Sequence, residues 1–372
     1  MVKESNYEKL GREILKLADI EVNGKKDWDI QIHNNKTFKR VFSQGTLGLG
    51  EAYMDGWWEC KAVDQFIDKV LRAHLEKKIK NPQLIWLVVK AKITNAQRKK
   101  AFEIGEKHYD TGNDLFSIML DKRMIYTCGY WKNAKTLDQA QEDKLKLTCE
   151  KLGLKRGMKI LDIGCGWGGF LKYAVENYGV TGVGITVSKE QVDLAKEVCK
   201  GLPIEIRLQD YADLDEKFDR IVSLGMFEHV GSKNYRKYMK VVNRCLVDKG
   251  IFLLHTIGTK NRGGGTDPWM NKYIFPEGSL PSAHLITKAI KGIFILEDWH
   301  NFGTDYDKTL LAWHDNFNKG WPKLKGKYSE RFKRMWNYFL LSCAGAFRAR
   351  NIQLWQIVLS KGGVDGGYKS IR

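Results

Sequence analysis

The sequence predicts an α/β protein with a doubly wound parallel sheet and a smaller domain N-terminal to that sheet. From about residue 108 onward, strand-like apolar runs alternate with segments of helix length, and this alternation is typical of parallel sheets. The run at 159–163 leads into Gly164-Cys-Gly-Trp-Gly-Gly169, which has four glycines in six positions. Such a turn after a strand lets the backbone lie against a nucleotide-like cofactor, with the next helix N-terminus behind it.

The predicted elements follow in order along the chain. Residues 1–75 are predicted to form the small N-terminal domain, 76–107 a basic amphipathic connector and 108–372 the α/β catalytic domain. The capping box Thr136-Leu-Asp-Gln139 begins a helix that runs through Lys151 and that Gly153 can close. The predicted strands are 159–164, 180–186, 204–210, 218–224 and 250–257, and the runs 294–302 and 355–360 can complete the sheet.

Length and charge bound the class of protein. The 372 residues are enough for about two domains, at roughly 150 residues each. The formal net charge is +18, and residues 72–107 hold ten Lys or Arg against three Glu. This excess predicts an anionic partner, for which nucleic acid and an anionic membrane surface both qualify.

Cysteine usage and hydropathy favour a cytoplasmic protein. The seven cysteines are scattered singly, so neither a zinc site nor a disulfide framework is predicted. The N-terminus has no apolar signal core, and no apolar stretch approaches the ~18 residues that span a bilayer. We therefore expect a reducing compartment, no bound metal and only peripheral contact with any membrane.

The glycine turn by itself leaves two cofactor classes open. It satisfies G-x-G-x-x-G, so a nicotinamide or flavin cofactor competes. A dinucleotide site wants an acidic residue at the end of the second strand, where this chain has Gly184-Ile-Thr-Val-Ser188. Asp162 and Gln209-Asp210 point instead to another class of cofactor site. The segment Leu161-Asp-Ile-Gly-Cys-Gly-Trp-Gly168 resembles the cofactor loop of the class I S-adenosylmethionine methyltransferases. That resemblance implies a Rossmann-like, mostly parallel sheet of seven strands.

Two nucleic-acid methyltransferase classes lose support at other positions. Amino-group methylation of bases uses an Asn/Asp-Pro-Pro-aromatic loop after the fourth strand, where this chain has Gly225-Met-Phe-Glu-His-Val-Gly231. Methylation of pyrimidines at C5 needs a thiol nucleophile, commonly in a Pro-Cys pair, and the sequence contains no such pair.

Motifs along the whole chain point to one family. They are Gly50-Glu-Ala-Tyr-Met-Asp-Gly-Trp-Trp58, His108-Tyr-Asp-Thr-Gly-Asn-Asp-Leu-Phe116, Tyr126-Thr-Cys-Gly-Tyr-Trp131, the glycine turn, Gly225 to Gly231, His255-Thr-Ile-Gly258 and Phe347-Arg-Ala-Arg350. In their joint order the chain resembles the bacterial cyclopropane-fatty-acyl-phospholipid synthases, of the S-adenosylmethionine-dependent mycolic acid/cyclopropane synthase family.

The resemblance implies an activity and a set of catalytic residues. The methyl of S-adenosylmethionine would be delivered to a cis double bond of a phospholipid acyl chain, and loss of a proton would close a cyclopropane ring. The family's base is held to be a bicarbonate ion. The corresponding positions here are Cys128, Glu228, His255 and Tyr306, with backbone support near Gly225 and Ile257. We expect Glu228 to share a proton with the ion, because a bare carboxylate would repel it.

Two neighbouring candidates have weaker roles. Cys343 corresponds to a family cysteine that has been considered catalytic, but a thiolate has no evident step in this mechanism. It also lies in a stretch of small residues, 341–347, that permits close helix packing. His229, beside Glu228, is expected to be structural.

The resemblance also implies the residues that hold the cofactor. They are Tyr126, Thr127, Asp162, Gly164, Cys165, Gly166, Gly168, Thr186, Gln191, Gln209 and Asp210. Gly164 and Gly166 have a physical reason as well, because a side chain there would occupy the cofactor's space. Gln191 has a competing role in the capping box Ser188-x-x-Gln191.

A substrate within a bilayer would explain the positive charge of the chain, because the enzyme would have to bind a membrane surface. The N-terminal domain and residues 72–107 are expected to dock on an anionic membrane surface at its inner face, where each Lys or Arg contributes about 1 kcal/mol. Family members also suggest a homodimer through the N-terminal domain, and no nucleic-acid partner is expected. Two alternatives stay open: a methyltransferase with a methyl-branched or hydroxylated lipid product, and a basic nucleic-acid-binding protein with a vestigial cofactor fold.

Overall fold

The computed structural model describes residues 6–75, 112–260, 264–265 and 267–372. These residues fall into two compact units. Unit 1 lies within Met1–Met119, Thr266–Pro276 and Leu310–Asn351, and unit 2 within Leu120–Gly265, Glu277–Thr309 and Ile352–Arg372. The predicted connector, 76–107, lies outside the described residues, as do residues 108–111 of one family motif. The predicted division into three segments therefore stays a prediction.

Helices and strands alternate along the described chain. The helices are α1 (Asn6–Lys16), α2 (Thr37–Met54), α3 (Val63–Arg72), α4 (Asn113–Met119), α5 (Leu137–Leu152), α6 (Gly169–Tyr178), α7 (Lys189–Val198), α8 (Tyr235–Cys245), α9 (Pro268–Tyr273), α10 (Ala283–Ile290), α11 (Thr304–Leu324) and α12 (Glu330–Arg348). The strands are β1 (Gln31–Ile32), β2 (Trp58–Glu59), β3 (Lys159–Ile163), β4 (Thr181–Thr186), β5 (Ile204–Leu208), β6 (Phe218–Leu224), β7 (Leu246–Thr259), β8 (Gly264–Gly265), β9 (Ser279–Leu280), β10 (Ile295–Asn301) and β11 (Ile352–Ser360).

Unit 2 is built on a seven-stranded sheet with the order β10-β11-β7-β6-β3-β4-β5. Strands β3 to β7 are parallel, whereas β11 pairs antiparallel with both β7 and β10. The seven predicted strands all form, with ends that differ from the prediction by a few residues. The strand order reverses between β3 and β6, and sheets of this kind bind ligands beyond the carboxyl ends of the strands at that point.

The central strands are buried on both faces of the sheet. Leu161 and Ile163 of β3 belong to one apolar cluster together with Tyr238 of α8. Ile160, on the opposite face, belongs to a second cluster together with Leu145 of α5. Because parallel strands covered on both faces consist of nearly continuous apolar runs, their positions could be predicted from the sequence.

Unit 1 is mostly helical and has an aromatic interior. Helix α12 packs against α3 and α2, and Gly345 permits this approach because a Cβ there would lie 2.4 Å from the carbonyl oxygen of Asp64. Trp58 and Trp269 are fully buried, and the Trp269 ring lies 4.7 Å from that of Tyr338. Among the helices that the structure describes, none combines the length and the hydropathy of a membrane-spanning segment.

Helix α5 has both of its predicted ends. The Thr136 hydroxyl accepts a hydrogen bond from the backbone N–H of Gln139 at 3.3 Å, and Gly153 ends the helix in the left-handed conformation with φ of 59°. These two caps satisfy backbone groups that the helix itself leaves unpaired. They also fix which face of α5 is turned towards the sheet.

Replacing Thr136 with alanine should lower the free energy of unfolding by about 1 kcal/mol, because α5 loses its N-terminal cap. Urea unfolding measures this loss as a lower midpoint with an unchanged slope. Thr287→Ala is the matched control, since this exposed hydroxyl bonds back to the Ala283 carbonyl within α10 and alanine is the better helix former. An equal loss in both variants would contradict the capping role of Thr136.

Candidate active site

The carboxyl ends of β3, β6 and β7 bring three loops of unit 2 together. The glycine turn packs on the loop after β6, since a Cβ on Gly164 would lie 2.7 Å from the Cβ of Met226. The segment before α5 packs on that loop too, since a Cβ on Gly225 would lie 2.8 Å from Cγ2 of Thr127. The Gly225 N–H donates to the His255 carbonyl at 2.9 Å. Predicted site residues from distant parts of unit 2 therefore meet at one edge of the sheet.

The glycine turn adopts backbone conformations that favour glycine. The φ angle is 84° at Gly164, 54° at Gly166 and 80° at Gly168. A Cβ on Gly166 would meet no atom within 4 Å, so the turn faces open space on that side. Cys165 is buried, and its N–H donates to the Ile185 carbonyl at 3.0 Å, which holds the turn against β4.

Asp162, within β3 and next to the turn, is a buried carboxyl with one unpartnered oxygen. Its Oδ1 has no hydrogen-bond partner among the described residues, and burial raises its pKa to about 7. Nearby, Nζ of the fully buried Lys144 donates to the Thr127 hydroxyl at 3.0 Å. Burial lowers the pKa of Lys144 to about 8, so both groups are shifted towards their neutral forms. Tyr126, next to Thr127, is half-buried.

The end of β4 joins two predicted cofactor residues. The Thr186 hydroxyl donates to Oε1 of Gln191 at 2.8 Å, and the Gln191 N–H donates to the Ser188 hydroxyl at 3.4 Å. Gln191 thus takes part in the predicted cap through its backbone, while its side chain turns to Thr186. The two roles considered for Gln191 use different atoms and are compatible.

The end of β5 carries the other two predicted cofactor residues. Nε2 of Gln209 donates to the Asp213 carbonyl at 3.3 Å, and Oδ1 of Asp210 accepts from the Ala212 N–H at 2.8 Å. These local bonds hold the loop after β5 in place and leave Asp210 exposed.

Glu228 follows β6 and is buried with only one oxygen paired. Its Oε1 accepts from the Ile257 N–H at 2.6 Å, whereas Oε2 has no partner among the described residues. Burial raises the pKa of Glu228 to about 7, against the smaller lowering by the Ile257 bond. In its protonated form Glu228 has an O–H donor that an anion can accept. The neighbouring His229 is exposed.

His255 lies on β7 with one ring nitrogen paired. Its Nδ1 lies 3.4 Å from Nε2 of Gln356, and its own Nε2 has no partner within the described residues. Burial lowers the pKa of His255 well below the usual value, and the nearby amines of Lys144 and Lys151 lower it further. The imidazole is therefore neutral at physiological pH.

Thr309 ties the segment of Cys128 to the first turns of α11. The Thr309 hydroxyl oxygen accepts from the Gly129 N–H at 3.1 Å and from Nε1 of Trp131 at 2.9 Å, and lies 3.8 Å from Sγ of Cys128. Tyr306 is buried one turn earlier in the same helix. Burial raises the pKa of the Cys128 thiol well above its ordinary range, so this residue is a neutral S–H group.

The Phe302 ring lies among the rings of His255, Tyr130 and His300. Its centroid lies 5.9 Å from that of His255, 5.4 Å from that of Tyr130 and 4.9 Å from that of His300. The sheet edge near His255 is therefore aromatic as well as polar.

The two backbone positions expected to support an anion are already engaged. The Gly225 N–H donates to the His255 carbonyl, and the Ile257 N–H donates to Glu228. Both N–H groups therefore donate within the protein in this structure, and that of Ile257 is directed at Glu228.

Cys343 belongs to unit 1, whereas the other catalytic candidates belong to unit 2. Burial raises the pKa of its thiol to about 12, which disfavours a thiolate. Two residues further along, Gly345 makes the close helix contact with α3. These observations fit a packing role for this part of α12.

Comparison with known proteins assigns the family. The model for mycolic acid cyclopropane synthetase matches residues 96–357. The chain belongs to this family. It is 54% identical, over 100% of its length and 97% of the relative's, to a cyclopropane-fatty-acyl-phospholipid synthase of Escherichia coli. It is also 37% identical to a probable fatty acid methyltransferase of Pseudomonas putida, over 70% of this chain and 69% of that one.

Solved structures agree with this assignment. The cyclopropane synthase MmaA2 from Mycobacterium tuberculosis matches with a TM-score of 0.65 and 30% identity, over 68% of this chain and 96% of that one. The mycolic acid cyclopropane synthase CmaA1, complexed with SAH and CTAB, matches with a TM-score of 0.64 and 31% identity over the same shares. The predicted class I methyltransferase fold and the predicted enzyme family are confirmed.

Sequence reasoning missed a buried polar row on α5. Its members recur at helical spacing on one face and are all fully buried: Gln141, Lys144, Thr148 and Lys151. The spacing is a readable signal, since buried polar side chains at helical intervals require partners on the element they face. A second signal is Gln356, a polar residue inside the buried run of β11.

The protein should become less stable as the pH rises from about 4.5 to about 7, and Glu228→Gln should make this loss of stability smaller. The carboxyl has an ordinary pKa of 4.5 and a pKa of about 7 in the fold, so between these values the folded state holds the extra proton. Stability from this group is present below the lower value and is lost as the pH rises to the upper one. The loss is up to about 3.5 kcal/mol, at ~1.4 kcal/mol per pKa unit.

Urea unfolding from about pH 4.5 to about pH 8 measures this slope, and the variant should have the shallower one. Glu197→Gln, at an exposed position of α7, is the control and should keep the wild-type slope. Parallel slopes for wild type and Glu228→Gln would show that Glu228 ionises normally in the fold.

Proposed function

We propose that the chain adds a methylene group across the cis double bond of an unsaturated acyl chain in a membrane phospholipid, forming a cyclopropane ring. One observation carries the proposal: Nε2 of His255 and Oε2 of Glu228 are buried and unpartnered among the described residues. Both belong to the sheet edge of the glycine turn. The full-length identity to a cyclopropane-fatty-acyl-phospholipid synthase favours a phospholipid substrate.

The residues of the turn fit S-adenosylmethionine as cofactor. The open space at Gly166 and the unpartnered oxygen of Asp162 suit a ligand that is both extended and polar. Gly164 to Gly168, Asp162, Thr186 and Gln209 would hold it. When bound, S-adenosylmethionine supplies the methyl carbon that becomes the ring methylene.

The protein would act on the alkene by holding it in position next to the methyl donor. An alkene is a weak, uncharged nucleophile, so no side chain can activate it by removing a proton. Exclusion of water and a fixed approach must supply the rate enhancement. The rings of Tyr130 and Phe302, 5.4 Å apart, provide apolar and electron-rich surroundings for positive charge on the lipid carbons. A desolvated cation–π contact is worth about 2 kcal/mol.

We propose that His255, Glu228, Cys128 and Tyr306 hold a bicarbonate ion near the reacting carbons. A neutral imidazole and a protonated carboxyl offer donors to the anion without a fixed negative charge that would repel it. When bound, bicarbonate supplies the base for the proton that ring closure releases. With a pKa of about 7, Glu228 can give and take a proton at neutral pH.

We further propose that the enzyme reaches its substrate as a peripheral membrane protein. The net charge of +18, with ten Lys or Arg against three Glu in residues 72–107, supports docking on an anionic surface. A homodimer through the N-terminal domain is part of the same proposal, since it would present two basic connectors to one membrane.

Purified enzyme given mono-unsaturated phospholipid vesicles, S-adenosylmethionine and bicarbonate should add one methylene to the mono-unsaturated acyl chains. Mass spectrometry detects the gain, and proton NMR distinguishes a cyclopropane from a methyl branch or a hydroxyl. His255→Ala and Glu228→Gln should each slow product formation about 100-fold or more, because positioned acid–base groups contribute roughly 10²–10⁴ in rate. Their affinity for S-adenosylhomocysteine, measured by thermal shift, should stay as in wild type.

Asn243→Ala is the control for this series. It removes one amide hydrogen bond of unit 2, to the Ile293 carbonyl at 3.0 Å, and should keep the wild-type rate. A branched or hydroxylated product would replace the proposed activity with the alternative one. Wild-type rates in both site variants would remove the proposed anion site.

Vesicle binding should require anionic lipid and should weaken steeply when salt rises from about 0.05 M to about 0.5 M, because screening shortens the reach of each charge. Cosedimentation measures this, with neutral vesicles as a reference. Replacing Arg98, Lys99 and Lys100 by glutamine should reduce binding several-fold. Replacing the exposed Lys189, Lys196 and Lys200 of unit 2 removes the same charge and should have a smaller effect. Equal effects of the two triple variants would argue against a docking role for the connector.

A further inference from the structure

A row of polar side chains crosses three strands of the sheet beside His255. In the register of the sheet, Gln356 on β11 lies opposite His255 on β7 and also opposite His300 on β10. Directly opposed residues place their side chains on the same face of a sheet. On that face Gln356 meets Thr148 and Lys151 of α5, and both are fully buried. Gln356 and His255 are therefore enclosed between the helix and the sheet, whereas His300 is half-buried.

The two helix residues fix the orientation of the Gln356 amide. The Thr148 hydroxyl already donates to the Lys144 carbonyl at 2.8 Å, so its oxygen must accept from Nε2 of Gln356, 3.1 Å away. On the other side, Nζ of Lys151 donates to Oε1 of Gln356 at 2.9 Å. Both contacts require the same orientation, with the NH2 group towards Thr148 and His255.

This orientation decides which nitrogen of His255 carries the proton. Nε2 of Gln356 lies 3.4 Å from Nδ1 of His255, and an amide NH2 group can only donate. Nδ1 must therefore accept, and the single proton of the neutral ring lies on Nε2. Nε2 is the ring nitrogen that has no partner within the described residues.

We propose that Gln356, oriented by Lys151 and Thr148, is a positioning residue that keeps the proton of His255 on Nε2, where it can be donated to a bound anion. This extends the proposed function, because the anion is the bicarbonate ion proposed above. With the opposite tautomer, His255 would turn a lone pair towards the anion and repel it. Gln356 thus fixes Nε2 of His255 as a hydrogen-bond donor, although a neutral imidazole could otherwise present either a donor or an acceptor there.

Lys151 is itself held in place from several sides. Its Nζ lies 2.9 Å from Nδ1 of His300 and 4.0 Å from Oδ2 of Asp298. Ser370 donates to Oδ1 of Asp298 at 2.8 Å, and Arg372 donates to the same oxygen at 2.6 Å. His300 and Asp298, both on β10, therefore hold the Lys151 amine in place beside Oε1 of Gln356, which keeps the amide in the orientation described above.

The tautomer can be measured directly. With 15N-labelled histidine, long-range proton–nitrogen correlation spectra show which ring nitrogen is protonated, and His255→Ala identifies the signals. The wild type should carry the proton on Nε2. Gln356→Glu keeps the acceptor for Lys151 but turns an acceptor towards Nδ1, so the proton should move to Nδ1. The bicarbonate concentration for half-maximal rate should then rise about tenfold or more, the cost of one charge-assisted hydrogen bond.

The controls separate this inference from the proposed function. Gln356→Met, similar in length and without donor or acceptor nitrogen or oxygen, should give a mixture of tautomers and serves if the glutamate variant does not fold. Asn243→Ala should leave the tautomer and the bicarbonate dependence unchanged. A wild-type proton on Nδ1, or a tautomer that Gln356→Glu does not move, overturns the inference whatever the activity. A moved tautomer with unchanged bicarbonate dependence also overturns it. Absence of cyclopropane product in the wild type defeats the proposed function alone, since the spectra still report the tautomer.

Discussion

Desolvation at the edge of the central sheet determines the charge of the candidate site. Burial raises the pKa of two carboxyls and lowers the pKa of two amines and one imidazole: Asp162, Glu228, Lys144, Lys151 and His255. Every shift favours the neutral form, because an unpaired buried charge costs far more than a buried neutral polar group. The protein thus builds a site that is rich in hydrogen-bonding groups and poor in fixed charge.

Low fixed charge suits the proposed chemistry. The reaction would carry positive charge from a sulfonium group onto lipid carbons, and a nearby fixed cation would oppose that transfer. Two unit charges 4 Å apart interact with about 4 kcal/mol at an effective dielectric constant of about 20. The lowered pKa of Lys144 and the raised pKa of Asp162 make both groups easier to neutralise, and both stay available as hydrogen-bond partners.

Local signals in the sequence were enough for the fold and for the glycine turn at the carboxyl end of β3. The apolar run at 159–164, the glycine turn and the caps of α5 each depend on residues close in the chain, and all three formed as predicted. The contacts that Gln356 makes with His255 and Lys151 could not be predicted in the same way. Whether Gln356 meets His255 depends on the register of β11 against β7, and whether Lys151 joins them depends on how α5 packs across the sheet. The use of the Ile257 N–H by Glu228 is likewise a long-range contact.

Unsatisfied buried atoms support the candidate site independently of the glycine motif. Four buried side-chain atoms of unit 2 without a partner in the described part of the chain belong to residues of this region: Oε1 of Gln141, Oδ1 of Asp162, Oε2 of Glu228 and Nε2 of His255. Each such atom costs about 1–3 kcal/mol, and folded proteins keep few of them. The same helix and strands provide hydrogen-bond partners for the neighbouring side chains of Thr148, Lys151 and Gln356, so the fold is able to pair polar groups here. Ligands that pair with these four atoms would remove their cost, and for that reason binding and stability should be coupled at this edge.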